Sequence, residues 1–345
     1  MPRGLVWCLV RIAIVDHSFH IKTRSTLFLP RLLGACGEVE VLWCDRWEGG
    51  PGVDIEGLCT QRFDCVMFCQ QLYEPDELAR LGRHSRVVNV PMFDQYAGWT
   101  RAQWRRYRPW PFVSFSLELH RRLVRAGCQS IPVRFFPEAV GQAAGTRRHA
   151  GEDGLTGIFW QRERRIDWRI VSRVLARLPV AKLYVRSLAD PGQAAAAIPV
   201  LDRRRFGIVD LPWFDRPDDY LALLDEVDFF VAPRKYEGIG MTFLEALARG
   251  KTVIAADRPT MNEYIAHGCN GFLFSTRFPR PLANLGDAER LATEIARWNR
   301  TFAADWKEGR QAIVDLVHSG TMPRVTGPTL MRRSLLGSAL RIFTG

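Results

Sequence analysis

DFFVAPRKYEGIGMTFLEALARGKTVIAA, residues 228–256, decides the fold. DFFVAP (228–233) is a short apolar run closed by Pro233, which predicts a buried strand. MTFLEALARG (241–250) has apolar residues at helical spacing and ends on Gly250, a helix-stop signal. KTVIAA (251–256) predicts the next strand. Strand, helix and strand in alternation predict a parallel sheet covered by helices on both faces. Between strand and helix lies RKYEGIG (234–240), the loop at the strand's carboxyl end, where sheets of this kind bind ligands.

Gly238 and Gly240 permit a tight turn and a close approach of ligand to bare backbone. The amides that open the following helix carry partial positive charge, which suits a phosphate. Glu237 stands on the loop before this site, and Glu245 lies about 6 Å along the helix axis from its start. A carboxylate repels phosphate, so both glutamates are expected to address neutral hydroxyls. A sugar nucleotide has hydroxyls on the sugar and on the ribose with the diphosphate between, one glutamate for each end. On spacing alone, two glutamates eight apart around a glycine turn read first as an ordinary structural unit, and the wider context changes that reading. The turn lacks the third glycine and the following acidic residue of a dinucleotide fingerprint.

The alternation extends outward in both directions. LVRIAIVD (9–16), EVEVLWC (38–44), DCVMFC (64–69), RVVNVPM (86–92), FVSFS (112–116) and VRFFP (133–137) predict strands. Helical patterns such as TLFLPRLLGAC (26–36), EPDELARLG (74–82) and LELHRRLVRAG (117–127) separate them. After a small, polar, glycine-rich stretch the pattern resumes with TGIFW (156–160), AKLYVRS (181–187), FGIVDL (206–211) and GFLF (271–274). The chain thus predicts two doubly wound α/β domains facing each other across a cleft, residues 1–140 and 155–320. A linker at 141–154 joins them and a basic tail, 321–345, follows.

The stretch from Asp218 to Phe274 resembles the donor half of a retaining GT-B glycosyltransferase (glycosyl transferases group 1, family 4-like). It carries, in order, a helix, a strand ending in proline, E-G-x-G, a second glutamate eight residues on, A-x-G-x-x-V-I-A, and a glutamate before I-x-x-G-x-N-G. The resemblance is loose over the rest of the second domain and only architectural over the first. It implies two Rossmann-like domains and transfer of a sugar from a nucleotide-diphosphate sugar, with retention, to a saccharide or lipid-linked glycan. Glu237 would contact the transferred sugar and Glu245 the ribose. Gly238 and Gly240, with the amides of Ile239, Met241 and Thr242, would cradle the diphosphate. Glu263 and Asn270 fall on a loop that the resemblance assigns to ordering the site.

Charge on the leaving diphosphate must be stabilised, by a metal on an Asp-x-Asp motif or by fixed cations and a helix N-terminus. Asp-x-Asp does not occur in the sequence, so neither a metal nor another cofactor is expected. IFWQRERRIDW (158–168) supplies cations after a strand. The family carries a glycine-arginine pair and then a lysine here. Gln161-Arg162 stands at the first position, and Arg164 or Arg165 replaces the lysine, which keeps charge and alters geometry. Arg162 and Arg165 join Glu237 as catalytic candidates, and Arg164 joins the donor-binding set.

The first-domain loop DHSFHIKTRST (16–26) lacks the glycine pair common in related enzymes. It offers His20, Lys22 and Thr23 as acceptor-binding candidates, with a structural role for His20 equally open. A histidine common in the family is replaced in DCVMFCQQLY (64–73) by Cys69, Gln70 and Gln71. The chain has 345 residues, 47% hydrophobic, with a net charge of +11. Such charge favours anionic partners: phosphates, anionic lipid or nucleic acid. No nucleic-acid module is recognisable, so a nucleic-acid-binding protein is the less favoured class. A catalytically inactive or epimerase-like GT-B protein that binds sugar nucleotides is the nearer alternative. WTRAQWRRYRPWP (99–111) and MRRSLLGSALRIF (331–343) are basic segments that could meet a membrane interface or serve as solvated loops. Eight scattered cysteines, without zinc-ligand spacing, predict reduced core thiols in a cytoplasmic protein, and the basic segments leave open a peripheral place at the inner face of the membrane.

Overall fold

The computed structural model describes residues 10–46, 49–138, 154–188, 194–212, 214, 216–323 and 325. Most of the expected 141–154 linker and the 331–343 segment lie outside the described residues. The chain forms two units. One runs to Phe135 and takes up the chain again from Ala304, and the other spans Phe136–Ala303.

The first unit holds six parallel strands: β1 Val10–His17, β2 Gly37–Cys44, β3 Cys65–Gln70, β4 Arg86–Pro91, β5 Phe112–Ser114 and β6 Ser130–Pro132. Their order is β2-β1-β3-β4-β5-β6. Inner strands such as β3 are apolar almost throughout because helices cover both faces, and Cys65, Val66, Met67 and Phe68 are fully buried. Burial pushes the Cys65 thiol up to about 12, and the described cysteines are unpaired.

The second unit repeats the plan with β7 Leu155–Trp160, β8 Val180–Arg186, β9 Ile208–Asp210, β10 Phe229–Val231, β11 Thr252–Ala256 and β12 Gly271–Phe274. All pairs are parallel and the order is β12-β11-β10-β7-β8-β9. Helices begin where side-chain caps stand ready: Asp167 accepts from the Ile170 amide, and Ser116 from that of Leu119.

Three expectations are corrected. VRFFP is not the sixth strand; that strand lies just before it, at Ser130–Pro132. Val133, Phe135 and Phe136 are buried by packing, with Phe135 4.9 Å from Trp306 ring to ring, so their apolar pattern reports burial and not pairing. The domain boundary near residue 320 also shifts. One helix, Ala288–Ser319, starts in the second unit and ends in the first, where Trp306 packs on Phe28 and Phe135 and Asp305 pairs with Arg134. Finally, the loop after β1 contains a short helix, Phe19–Thr23.

The arginine–aromatic stretch is anchored by its aromatics. Trp104 and Tyr107 are 1% and 2% exposed, and Trp99 lies 4.7 Å from Trp104. Arg106 pairs with Glu74, and Arg108 donates to the Ala126 carbonyl. The stretch presents arginines outward and keeps Trp104 and Tyr107 in the core. Among the described residues, no helix is long and apolar enough to cross a membrane.

Candidate functional site

In the second unit the strand order turns between β7 and β10. The chain runs outward from β7 to β9, then returns to β10 on the other side of β7. Loops leaving the carboxyl ends of such neighbours part to opposite faces and leave a crevice. These are the arginine loop after β7 and the glycine turn after β10. The structure ties them together. Glu163 Oε1 accepts the Lys235 backbone N–H at 2.7 Å, and its Oε2 lies 3.5 Å from Arg165. The Arg165 guanidinium stands 5.9 Å from the Tyr236 ring centre, beside Glu237 in sequence.

The turn is built for close backbone approach. Gly240 has φ +82 and caps the helix Met241–Ala248, which has no side-chain cap, so its first amides point outward. A Cβ on Gly240 would lie 2.0 Å from the Phe243 ring. Thr260 holds the turn from behind, donating to the Glu237 carbonyl at 2.8 Å and the Gly238 carbonyl at 3.1 Å. Gly240→Ala should therefore destabilise the protein by about 1–3 kcal/mol through the left-handed backbone, and more through the Phe243 clash. Denaturant unfolding checks this; an unchanged midpoint would contradict it.

Further along the helix, burial pushes the Glu245 carboxyl up to about 7, opposed only by Arg249, which is itself engaged by Asp225. Among the described residues the Glu245 carboxylate makes no hydrogen bond. Two further groups were not singled out from the sequence: Tyr220, under the charge of Glu245, and Arg186, which acts on Tyr220. The Tyr220 hydroxyl is buried without a hydrogen-bond partner among the described residues, and burial followed by the charge of Glu245 raises its pKa well above the usual value. Arg186, at the end of β8, is drawn down to about 10 by burial and then by the charge of Arg162. Arg162 and Arg186 both lie against Trp160, 4.4 and 4.3 Å from its ring centre. The predicted cations thus stand in two places, Arg165 by the glycine turn and Arg162 in the Trp160 stack. Arg164 is exposed in the 3-10 turn Arg164–Ile166.

Other positions singled out from the sequence are structural. Gln161 is 1% exposed, accepting from the Trp168 amide and donating to the Ala196 carbonyl. Asn270 is fully buried and bonds the Tyr264 carbonyl and the Ala266 amide, which orders its loop. In the first unit His20 is buried against Asp16, Lys22 is exposed, and Thr23 Oγ1 lies 3.2 Å from Ser25 Oγ. Glu163, Thr260, Tyr220 and Arg186 escaped the sequence reading. Only Arg186 carried a signal, its place at a predicted strand's carboxyl end.

Residues 208–285 match the family model described as Glycosyl transferases group 1. The lipopolysaccharide core biosynthesis mannosyltransferase LpsB of Rhizobium meliloti (strain 1021) is 46% identical over 100 residues. That match spans 26% of this chain and 27% of the mannosyltransferase. Among solved structures, the apo form of the lipopolysaccharide outer core galactosyltransferase WaaB superposes with a TM-score of 0.59 at 12% identity, covering 90% of this chain and all of that one. The sucrose-phosphate synthase of Thermosynechococcus elongatus gives 0.51 at 17% identity, covering 90% and 97%. The fold is therefore of GT-B type, and its 208–285 segment matches the group 1 family model.

Proposed function

We propose that this chain, GT-B in fold and group 1 in its donor segment, is a glycosyltransferase acting in the synthesis of a lipopolysaccharide-type glycan. It takes a sugar from a nucleotide-diphosphate sugar and passes it to a glycan or lipid-linked acceptor. The observation that carries this is the Glu245 carboxylate, partly buried and without a hydrogen bond among the described residues, on a helix opened by the left-handed Gly240 turn. Its position in a crevice of the second unit, eight residues from Glu237, supports a ligand with hydroxyls on either side of a diphosphate. The lipopolysaccharide class rests on the LpsB segment.

In this reading Glu245 accepts from ribose hydroxyls and Glu237 faces the sugar. The amides of residues 239–242, with Arg162, Arg164 and Arg165, receive the charge of the departing diphosphate without a metal. Transfer proceeds with retention. Incubation with UDP-, GDP- and ADP-sugars and deacylated lipopolysaccharide core oligosaccharide, read by mass spectrometry, should give a glycosylated product, unaffected by EDTA. Anomeric NMR of an inverted product would contradict retention, and donor binding without transfer would favour the inactive GT-B alternative.

The raised Glu245 pKa fixes a pH dependence. Ribose hydroxyls donate to the ionised carboxylate, so donor affinity should rise as pH increases through about 7 and fall on the acid side. In the ligand-free protein the sign is opposite. A carboxyl held above its usual value in the folded state favours folding when protonated, and this contribution is lost as pH rises from the unfolded value towards about 7. Glu245→Gln should flatten the pH dependence of donor binding and raise the thermal midpoint of the ligand-free protein at pH 8. Calorimetric titration and thermal melts across pH 6–8 check both; an unchanged slope in the variant would contradict the assignment.

A further inference from the structure

Glu163 is not among the residues that would receive the donor, yet it touches both loops of the crevice in the second unit. Its backbone is fixed on either side. Before it, Gln161 is 1% exposed and bonds the Trp168 amide and the Ala196 carbonyl. After it, Arg164–Ile166 form one 3-10 turn that buries Ile166 fully, and the Ile166 N–H donates to the Glu163 carbonyl at 3.3 Å. Asp167 then caps the next helix through the Ile170 amide. Glu163 itself is extended, with φ −137, and its side chain is 11% exposed.

The two carboxylate oxygens are used differently. Oε1 accepts the Lys235 backbone N–H at 2.7 Å, the length of a charge-assisted hydrogen bond. Lys235 stands two residues before Glu237, and Thr260 holds the Glu237 and Gly238 carbonyls, so the turn is secured at successive points. Oε2 lies 3.5 Å from Arg165 Nη2, longer than such a bond, so charge orients the guanidinium without saturating it. The Arg165 side chain is 59% exposed, and a guanidinium has five N–H donors, which leaves donors for a phosphate. An ion pair this open adds little to stability, so its effect is expected in the site rather than in the fold.

We infer that Glu163 is a positioning residue for transfer: it sets Arg165 against the glycine turn, so that guanidinium and turn amides receive the departing diphosphate together. The role rests on the glycosyltransferase reading. β7 and β10 are neighbours, but the loops that leave them part to opposite faces, and the sheet alone does not register one loop on the other. Glu163 does so with a single carboxylate, one oxygen on the backbone of the turn and one on the cation. Misplacing a catalytic group by about 1 Å can cost about a hundredfold in rate, which makes this registration matter.

The test uses the full chain and separates the two claims. Binding of UDP-, GDP- and ADP-sugars is measured first by calorimetry, then transfer to core oligosaccharide and hydrolysis of the bound donor. If no donor binds, or one binds and neither reaction follows, the transfer reading falls and the positioning role with it. Glu163→Gln keeps an acceptor for the Lys235 amide but presents a neutral amide to Arg165. It should lower kcat by about tenfold to a hundredfold and keep donor affinity within about threefold. A merely structural role would instead lower affinity and the thermal midpoint. Arg165→Met should lower kcat to a similar extent. Adding Glu163→Gln to it should lower kcat by less than about twofold more, because no cation is left to misplace. If Glu163→Gln is unstable, Arg165→Met, at a mostly exposed side chain, carries the test. A wild-type kcat in either folded variant, or a full multiplicative loss in the double variant, would overturn the positioning role and leave the donor reading standing.

Discussion

Glutamine at position 237 should lower transfer by about a hundredfold to a thousandfold, the range seen when a preorganised electrostatic contact to the transition state is removed. Donor affinity should stay within about threefold, because an interaction that matters only in the transition state appears in kcat and not in binding. Glu237 is 7% exposed, and its backbone is fixed on both sides. The Pro259 carbonyl accepts its N–H at 3.4 Å, and Thr260 donates to its carbonyl at 2.8 Å. The side chain is therefore delivered to one place, and glutamine preserves its shape while removing its charge. Positive charge developing at the sugar favours a carboxylate there over an amide. Steady-state transfer kinetics set beside calorimetric affinity check this. Equal kcat in variant and wild type would remove Glu237 from the mechanism.

Asparagine at position 305 should destabilise the first unit by about 3–5 kcal/mol, the usual effect of removing one partner from a buried ion pair. Arg134 and Asp305 meet at 2.8 Å with side chains 2% and 10% exposed. The pair joins the segment after β6 to the helix Ala288–Ser319, where Trp306 packs on Phe28 and Phe135 and Gly309 stands against Val133. Differential scanning calorimetry should show a lowered transition in Asp305→Asn, and Arg134→Met combined with Asp305→Leu should recover most of it. An unchanged midpoint in the single variant would mean that the helix is held without the pair.

What was legible in the sequence was local. The Glu237–Glu245 turn, its glycines and its two flanking strands occupy one continuous stretch, and β10, the helix Met241–Ala248 and β11 fall where the pattern puts them. VRFFP misled because alternating apolar residues report burial whether or not a strand pairs. Gln161 matched a family position by spacing, yet it spends both amide atoms on the Trp168 amide and the Ala196 carbonyl. The groups that were missed depend on sheet order. Glu163 reaches Lys235 only because β7 and β10 are neighbours across 72 residues of sequence. Tyr220 comes from a helix whose association with Glu245, and Arg186 from a strand whose association with Tyr220, no periodicity contains. Asp16 looked like the end of a strand, and only the fold shows His20 and Thr26 closing on it.

The central claim, a sugar nucleotide held with its ribose at Glu245, is tested most directly by a double cycle. Calorimetry would compare a nucleoside diphosphate chosen from the uridine, guanosine and adenosine series with its 2′,3′-dideoxy analogue, against wild type and Glu245→Ala. The prediction is that removing either the hydroxyls or the carboxylate weakens binding, and that removing both weakens it no further, with a coupling of about 1.5–3 kcal/mol for hydrogen bonds to a charged group. Additive losses, or an affinity in Glu245→Ala equal to wild type, would contradict it.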